Sequence, residues 1–263
     1  MGWKEKTSLM VTLLISVVQF NTLDAQTANP NNPNDFQYVF LAGGVQHSVA
    51  LRCNGTVLTW GDNGFGQLGN NDAPNDSDVP VTVKSETGTD SLINIIAVAA
   101  GGNHVLALSY DGTVWAWGDN TNGQLGDGSV AGQRNFPVKV VGINGVDTLR
   151  DVVGIAAGGN HSLAIRSDGS VVSWGLNNSG QLGDSTKTNR NYPVATFGLD
   201  NGARAIDLAA GDCHSLVLQD DGRLKSCGCD NAGQLGDNGN SSQSGVQTLI
   251  TVNVNQSGTI PLE

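Results

Sequence analysis

Basic residues are scarce in this sequence, which has 13 lysines and arginines against 24 acidic residues and a formal net charge of −11. A nucleic-acid-binding protein needs a basic face to neutralise phosphates, and a protein that adheres to anionic membranes needs one as well. The composition therefore argues against a nucleic-acid partner and against adhesion to a membrane surface. The acidic composition is compatible with a preference for basic partners.

Recognisable catalytic motifs are also missing. The sequence contains no Gly-x-Ser-x-Gly elbow for a nucleophilic serine and no Walker loop for a phosphate. All four histidines belong to one repeated pattern. We therefore predict no catalytic residue, no cofactor, no metal site and no small-molecule substrate, and a protein that is not an enzyme.

The apolar segment near the N-terminus is short. It covers residues 9–20, whereas a transmembrane helix needs about 20 apolar residues. Two lysines precede it and a plausible cleavage site follows, a pattern that predicts a secretory signal peptide over residues 1–25. Residues 26–35, rich in proline and asparagine, are predicted to be a flexible spacer. We expect the mature protein to be secreted, periplasmic or at the cell surface, without membrane insertion.

The motif Gly-Gln-Leu-Gly occurs four times. Each copy ends 22 residues after a histidine, and successive copies are 57, 57 and 53 residues apart. Repetition on this scale indicates one supersecondary unit stacked several times. The histidines are His47, His104, His161 and His214. The motif glycines are Gly66, Gly69, Gly123, Gly126, Gly180, Gly183, Gly233 and Gly236.

Each repeat contains a predicted β-hairpin. Two apolar runs flank Asn-Gly or Asp-Gly, a strong hairpin signal because glycine accepts the positive φ of the turn. Both strand faces are apolar, so both are expected to be covered, and the stretches between cores have room for two more strands. We predict an all-β fold, a β-propeller of four-stranded antiparallel blades; a right-handed β-solenoid, the competing fold, usually has shorter coils. The cores cover residues 42–69, 99–126, 156–183 and 209–236.

The pattern Ala-Ala-Gly-x-x-His, then Asp-Gly-x-Val-x-x-Trp-Gly, then Gly-Gln-Leu-Gly resembles the regulator of chromosome condensation repeat family. The resemblance covers essentially residues 36–254, within a repeat region assigned to 36–263, and implies a propeller, typically of seven blades. By the chain's own spacing a fifth repeat would begin near residue 266, beyond Glu263. We expect a fragment of a longer product; the alternative is four blades that close alone or by association.

The repeated histidines and tryptophans are interpreted as scaffold. One histidine per blade should place the four far apart on a ring rather than around a metal, and we expect each ring to hydrogen-bond backbone within or between blades. Trp60, Trp117 and Trp174 share one register position, which Cys227 fills in the fourth repeat. They are expected to pack between blades, and Trp115, outside that register, is also expected in the core.

The acidic stretch from Asp119 to Asp127 lacks the alternating oxygen ligands and the closing glutamate of a calcium loop. We interpret it as a tight turn. Gly123 and Gly126 should supply backbone freedom, Leu125 should pack inward, and the acidic side chains should face solvent.

Two of the four cysteines are predicted to form a disulfide. If the fourth hairpin has a three-residue loop, Gln219 pairs with Arg223 and Cys213 lies directly opposite Cys229, at a separation that a disulfide can bridge. A secreted chain permits such a bond. Cys227 is expected to be buried and free, with Cys53 near a turn. A zinc set of Cys213, Cys227 and Cys229 is the alternative, but no other repeat shares it.

Function is expected in the loops that differ between repeats, residues 71–78, 128–134 and 184–190. The leading hypothesis is a secreted or surface propeller that binds another protein through these loops; the family resemblance includes secreted bacterial proteins that cap an enzyme. The alternative is a guanine-nucleotide exchange factor for a small GTPase, the family's best-known activity. The signal peptide, the repeat count and the lack of a basic N-terminal tail argue against it.

Overall fold

The computed structural model describes residues 38–130, 132–200, 202–238 and 246–252. The predicted signal peptide and spacer lie outside these ranges. Within them the chain forms four sheets, each of four antiparallel strands. The predicted all-β architecture of four-stranded blades is therefore confirmed. That the chain is a fragment of a longer product stays a prediction.

Each blade is built from four consecutive strands. Blade 1 contains β1 (Tyr38–Gly43), β2 (His47–Arg52), β3 (Val57–Gly61) and β4 (Ser77–Thr82). Blade 2 contains β5 (Ile95–Ala100), β6 (His104–Ser109), β7 (Val114–Asp119) and β8 (Gln133–Lys139). Blade 3 contains β9 (Val152–Ala157), β10 (His161–Arg166), β11 (Val171–Gly175) and β12 (Arg190–Ala195). Blade 4 contains β13 (Ala205–Ala210), β14 (His214–Gln219), β15 (Leu224–Gly228) and β16 (Val246–Thr251).

Helical structure is minimal in this part of the chain. A single 3-10 turn, Ile143–Gly145, lies between β8 and β9. Across the described ranges, no helix is long and apolar enough to cross a membrane.

The strand order fixes two faces of the arc of blades. Strands follow chain order in every sheet, and the first strands of successive blades contact one another, so these line the axis of the arc. Because the strands alternate in direction, the β1–β2 and β3–β4 loops and their equivalents all lie on one face. We name it the motif face, since it carries the Gly-Gln-Leu-Gly loops. The β2–β3 hairpin turns lie on the opposite face, the hairpin face.

The hairpin turns explain the repeated Asn-Gly and Asp-Gly pairs. Each turn is a three-residue loop whose glycine has a positive φ, such as 79° at Gly112 and 82° at Gly222. In blade 4 the backbone N–H of Gln219 donates to the carbonyl of Arg223 over 2.9 Å. This is the register that the sequence predicted for the fourth hairpin, and it places Cys213 opposite Cys229.

The hydrophobic core is divided among the joints between blades. Leu106, Leu108 and Val114 of blade 2 pack in one cluster with Val172 and Trp174 of blade 3. Two similar clusters join blade 1 to blade 2 and blade 3 to blade 4. A single sheet has no second layer of its own to cover its apolar side chains. Each blade is therefore stabilised mainly by packing against its neighbours.

Candidate interaction face and the joints that support it

A network of polar groups crosses the joint between blades 2 and 3. The main-chain carbonyl of Gln124 accepts a hydrogen bond from the Trp174 indole over 2.8 Å and another from the Ser162 hydroxyl over 2.8 Å. The Ser162 oxygen also lies 2.9 Å from Nε2 of His104. Since the Ser162 proton points to the carbonyl, its oxygen accepts from His104, whose ring is then protonated at Nε2. All these side chains are buried.

The joint between blades 1 and 2 keeps one half of this network. The Trp117 indole donates to the carbonyl of Gln67 over 3.0 Å. Val105, however, stands where blade 3 has Ser162. As a result, neither ring nitrogen of the buried His47 has a hydrogen-bond partner among the described residues.

The joint between blades 3 and 4 keeps the other half. The Ser215 hydroxyl donates to the carbonyl of Gln181 over 2.7 Å, and its oxygen lies 2.9 Å from Nε2 of His161. Cys227 replaces the tryptophan, with Sγ 3.5 Å from the same carbonyl. Burial raises the pKa of the Cys227 thiol to about 12, so this thiol is protonated at neutral pH.

The sequence-based account of the histidines needs one correction. The partner of the His104 ring and of the His161 ring is a serine hydroxyl in the next blade, not backbone. Burial is the main cause that lowers the pKa of His104 to about 3, and the charges of His161 and His47 lower it further. The serine after the histidine in three of four repeats was the signal that could have identified the partner.

The buried histidines are neutral at ordinary pH. Burial lowers the pKa of His47 and of His161 to about 4 in each case. The described residues also contain no cluster of three or more histidine, cysteine or acidic side chains that could hold a metal. His104 and His161 each hydrogen-bond a serine of the next blade, so these two rings support the joints.

The motif glycines let neighbouring blades approach closely. A Cβ on Gly123 would lie 2.7 Å from Cα of Asn191 and 2.8 Å from the carbonyl oxygen of Arg190, both in the outer strand of blade 3. A Cβ on Gly126 would lie 2.7 Å from Nε1 of Trp174. At Gly233, in blade 4, no atom of the described residues lies within 4 Å. The glycines thus serve contact between blades as well as backbone freedom.

The expectation that the acidic residues of this motif face solvent is wrong for Asp119, which is 5% exposed, and for Asp127, whose side chain is 7% exposed and pairs with Arg134. The Asp119 carboxylate accepts the Thr121 N–H over 3.0 Å and the Gln124 side-chain amide over 2.9 Å. The carboxylate turns inward because the tight loop leaves N–H donors that need an acceptor. In blade 3, Leu176 takes this position, and the side-chain nitrogen of Gln181 has no partner among the described atoms. Leu125 packs inward as predicted, at 0% exposure.

The three variable loops all lie on the motif face, where each runs into the fourth strand of its blade. Residue 131 lies outside the described residues. The loop of blade 2 contains an ion pair of 2.6 Å between Arg134 and Asp127, and the loop of blade 3 has one of 2.7 Å between Arg190 and Asp184. Burial alone would raise the pKa of both carboxyls, but hydrogen bonds from neighbouring hydroxyls and arginines hold it below the usual value. Each of these two carboxylates is therefore paired with an arginine of its own blade.

Each loop is also attached to the next blade. The Gly128 N–H donates to the carbonyl of Asn191 over 2.9 Å. The side-chain amide of Asn191 donates to the carbonyl of Gly128 over 2.7 Å. Apolar side chains are exposed on the same face, with exposed fractions of 76% for Val45, 40% for Phe65 and 66% for Val130. The result is a firmly held face with apolar groups at its surface.

Tryptophans and cysteines occupy distinct environments. Trp117 and Trp174 are fully buried, whereas Trp60, at the outer side of blade 1, is half-buried. Half-buried Trp115 lies under the Lys139 ammonium, which is 4.9 Å from its ring centroid. Cys213 and Cys229 form a disulfide with their Cα atoms 5.6 Å apart. The free cysteines are half-buried Cys53 and buried Cys227.

A family model described as RCC1-like domain matches residues 12–260. The chain belongs to the RCC1-like domain family. The resemblance seen in the repeats is thereby confirmed. Among curated relatives, the chain is 35% identical over 196 residues to the human probable E3 ubiquitin-protein ligase HERC6, covering 73% of this chain and 18% of that protein. It is 33% identical over 203 residues to the Arabidopsis thaliana ultraviolet-B receptor UVR8, covering 76% and 43%.

Solved RCC1-like structures have the same architecture. Yeast RCC1 (Prp20), solved with Kap60 bound, has a TM-score of 0.70 and 30% identity, with 86% of this chain and 52% of that chain covered. Another structure, of Prp20p from Saccharomyces cerevisiae, is described together with its binding to Gsp1p and histones; it has a TM-score of 0.68 and 30% identity, with 86% and 54% covered. The chain thus spans about half the length of these solved propellers.

Proposed function

We propose that this RCC1-like domain is a non-enzymatic protein-interaction module whose partner docks on the motif face. The observation that carries the proposal is the combination of variable loops with exposed apolar side chains on a rigid base. The Val45, Phe65 and Val130 side chains are each exposed, and all three belong to loops of that face. A preorganised surface loses little conformational entropy on binding, and exposed aromatic and aliphatic groups provide the anchors that interfaces use.

Site-specific photo-crosslinking tests this surface. A photoreactive phenylalanine analogue is placed at Phe65 or at Val130, and a matched control places it at Tyr110, which is 83% exposed on the hairpin face. We expect the two motif-face positions to label the same protein in the producing organism, and the control not to label it. Labelling of that protein from Tyr110 alone would show that the hairpin face is the docking surface instead.

The proposed location is outside the cytoplasm, in the secreted, periplasmic or cell-surface fraction. The support is the signal-like pattern of residues 1–25 and the disulfide between Cys213 and Cys229, a bond that oxidising compartments favour. N-terminal sequencing of the natural protein should find a mature chain that begins after residue 25. An intact N-terminus in cytosolic protein would contradict this proposal.

A second candidate is guanine-nucleotide exchange on a small GTPase. The reported binding of Prp20p to Gsp1p, at 30% identity to this chain, supports it. The assay is release of labelled GDP from a panel of small GTPases. Acceleration by the wild-type chain that is lost in a Phe65→Ser variant, but kept in a Tyr110→Ser variant, would favour exchange on the motif face over simple binding.

A further inference from the structure

The disulfide between Cys213 and Cys229 joins two segments of the motif face in blade 4. Cys213 lies between β13 and β14, and Cys229 directly follows β15. The backbone N–H of Cys229 also donates to the carbonyl of Cys213 over 2.9 Å, and blades 1, 2 and 3 make the equivalent bond over 2.9, 2.9 and 2.8 Å. Those three blades have no cysteine at either position. The folded hairpin therefore does not depend on the covalent bond.

The two sulfurs differ in their access to solvent. Cys213 is half-buried, as are Asn103 and Asn160 at the same position of blades 2 and 3. Its exposure is thus a feature that this loop position has in several blades. Cys229 is only 4% exposed. Since a disulfide is opened by attack of a thiolate on one of its sulfurs, an external thiolate reaches Cys213 and not Cys229.

An amide donor lies beside the sulfur that would leave. The side-chain amide of Gln234 donates to Sγ of Cys229 over 3.1 Å. In blades 1 and 2 the equivalent amides donate to the carboxylates of Asp62 and Asp119, so Cys229 takes a position where this loop elsewhere holds a negative charge. A hydrogen bond to the charged form stabilises a thiolate, and a better stabilised thiolate departs faster.

A second amide at the joint between blades 3 and 4 lacks an acceptor. The side-chain nitrogen of Gln181 has no hydrogen-bond partner among the described atoms, and the residue is fully buried. Its equivalent, Gln124, donates across the joint to Oδ1 of Asn160 over 3.3 Å, and Cys213 takes the position of Asn160 in blade 4. Because a buried donor without an acceptor is unfavourable, the amide of Gln181 favours an opened form in which Sγ of Cys213 can turn toward it.

We propose that Cys213 and Cys229 form a redox-active site that exchanges with an external dithiol while the protein stays folded. A thiolate of the dithiol attacks Sγ of Cys213, the bond between the two cysteines breaks, and its electron pair leaves on Sγ of Cys229. The second thiol of the reductant, as a thiolate, then attacks its own sulfur in the mixed disulfide and releases Cys213. The reductant is oxidised to a disulfide, and the protein gains two electrons and two protons.

The third cysteine of blade 4 takes no part in this exchange. Cys227 is fully buried, with Sγ beside the carbonyl of Gln181, and its thiol is protonated at neutral pH. Only a thiolate attacks a disulfide, so the bond does not pass to Cys227. Alkylation of Cys227 therefore reports unfolding of the chain.

The test is the rate at which the disulfide opens in the folded full chain. Dithiothreitol is added at neutral pH without denaturant, and timed alkylation with iodoacetamide is followed by peptide mass mapping. We expect Cys213 and Cys229 to be alkylated faster than the chain unfolds, as measured by urea unfolding kinetics extrapolated to water, with Cys227 unmodified. Reduced glutathione, a monothiol, should be found attached to Cys213. Opening no faster than unfolding, or glutathione attached to Cys229 instead, would overturn the proposal.

Gln234→Glu tests the amide donor. Glutamate keeps an oxygen for the Ala232 N–H but removes the donor to Cys229, so opening should be slower by about tenfold or more. Asn231→Asp makes the same change from amide to carboxylate at an exposed position of the same loop, and the rate should stay within about twofold because exposed charges are screened. Equal rates in the two variants would contradict the proposed exchange. Neither measurement involves a partner protein, so the proposed function keeps its own test.

Discussion

The joint between blades 2 and 3 and the joint between blades 1 and 2 differ chiefly at one position, where Ser162 in the first joint corresponds to Val105 in the second. Both joints have a buried histidine and a tryptophan that donates to a motif carbonyl. The serine gives Nε2 of His104 a partner, leaving only its Nδ1 without one, whereas neither ring nitrogen of His47 has a hydrogen-bond partner among the described residues.

The difference shows that polar and apolar contacts can substitute for each other at a joint. Val105 is fully buried in a cluster with Val49, Leu51 and Trp117. The joint between blades 1 and 2 therefore gains apolar packing in exchange for the hydroxyl. A buried ring nitrogen without a partner costs about 1–3 kcal/mol, so the two joints should respond differently to matched substitutions.

Acidification should have the largest effect and should act on all three joints. The pKa of His47 and of His161 is lowered to about 4, and that of His104 to about 3, from an ordinary value of 6.5. Above pH 6.5 each ring is neutral in both states and stability is fully present. Below pH 6.5 the unfolded chain binds protons that the folded chain excludes, so the free energy of unfolding falls by about 1.4 kcal/mol per pH unit for each histidine.

Urea unfolding at several pH values between 7.5 and 4.5 measures this slope. A His104→Gln variant is the comparison, since it should remove about a third of the histidine contribution to the slope. If the wild-type free energy of unfolding stays constant between pH 7 and 5, the neutral buried rings are not a feature of the folded protein.

Gly123→Ala should break the joint between blades 2 and 3. Alanine at φ 83° is strained by about 1–2 kcal/mol, and its Cβ would also overlap the outer strand of blade 3, which adds about 1–3 kcal/mol. Gly233→Ala has a similar φ of 76°, but no described atom lies within 4 Å of its Cβ position. The difference in unfolding free energy between the variants therefore isolates the contact between blades. Equal destabilisation would mean that backbone strain alone accounts for the motif glycines.

Ser162→Ala should make the complete joint resemble the incomplete one. It removes the bond to His104 and the bond to the Gln124 carbonyl, and we expect a loss of about 1–3 kcal/mol. Ser48→Ala is the matched control at the outer side of blade 1 and should change the stability of the dilute chain by less than about 0.5 kcal/mol. Chemical denaturation at low protein concentration measures the free energy of unfolding of both variants. A similar loss of stability in Ser48→Ala would argue against a role for the hydrogen-bond network.

Val105→Thr should have the smallest effect, because it offers His47 a hydroxyl while nearly keeping the shape of valine. We expect a change within about 0.5 kcal/mol. The same substitution at Val172, buried on the side of blade 3 that packs against blade 2, adds a hydroxyl at an apolar site and should cost about 1–3 kcal/mol. Thermal unfolding of the pair gives the difference, and an equal cost at both sites would show that His47 does not accept the new partner.

The repeat spacing predicted the blades well, because every repeat must build the same hairpin. The loop length in blade 4 likewise predicted the pairing that puts Cys213 opposite Cys229. The direction of Asp119 was not predictable from its charge, since the loop N–H groups that draw it inward depend on the folded turn. The partner of His104 lies 58 residues away, beyond the reach of local pattern reasoning. The choice between binding and exchange depends on a partner's surface as well as on this chain.

The motif carbonyl that accepts two donors from the next blade has a consequence for how such proteins change over time. Every repeat places its histidine and motif carbonyl on one side and at least one donor, a serine or a tryptophan, on the other, so copying or deleting a whole repeat leaves each remaining boundary with compatible chemistry. Changes of part of a repeat would leave a carbonyl without donors or a tryptophan without an acceptor. Blade number can therefore vary by whole units while the surface loops, which take no part in the carbonyl network, diverge independently.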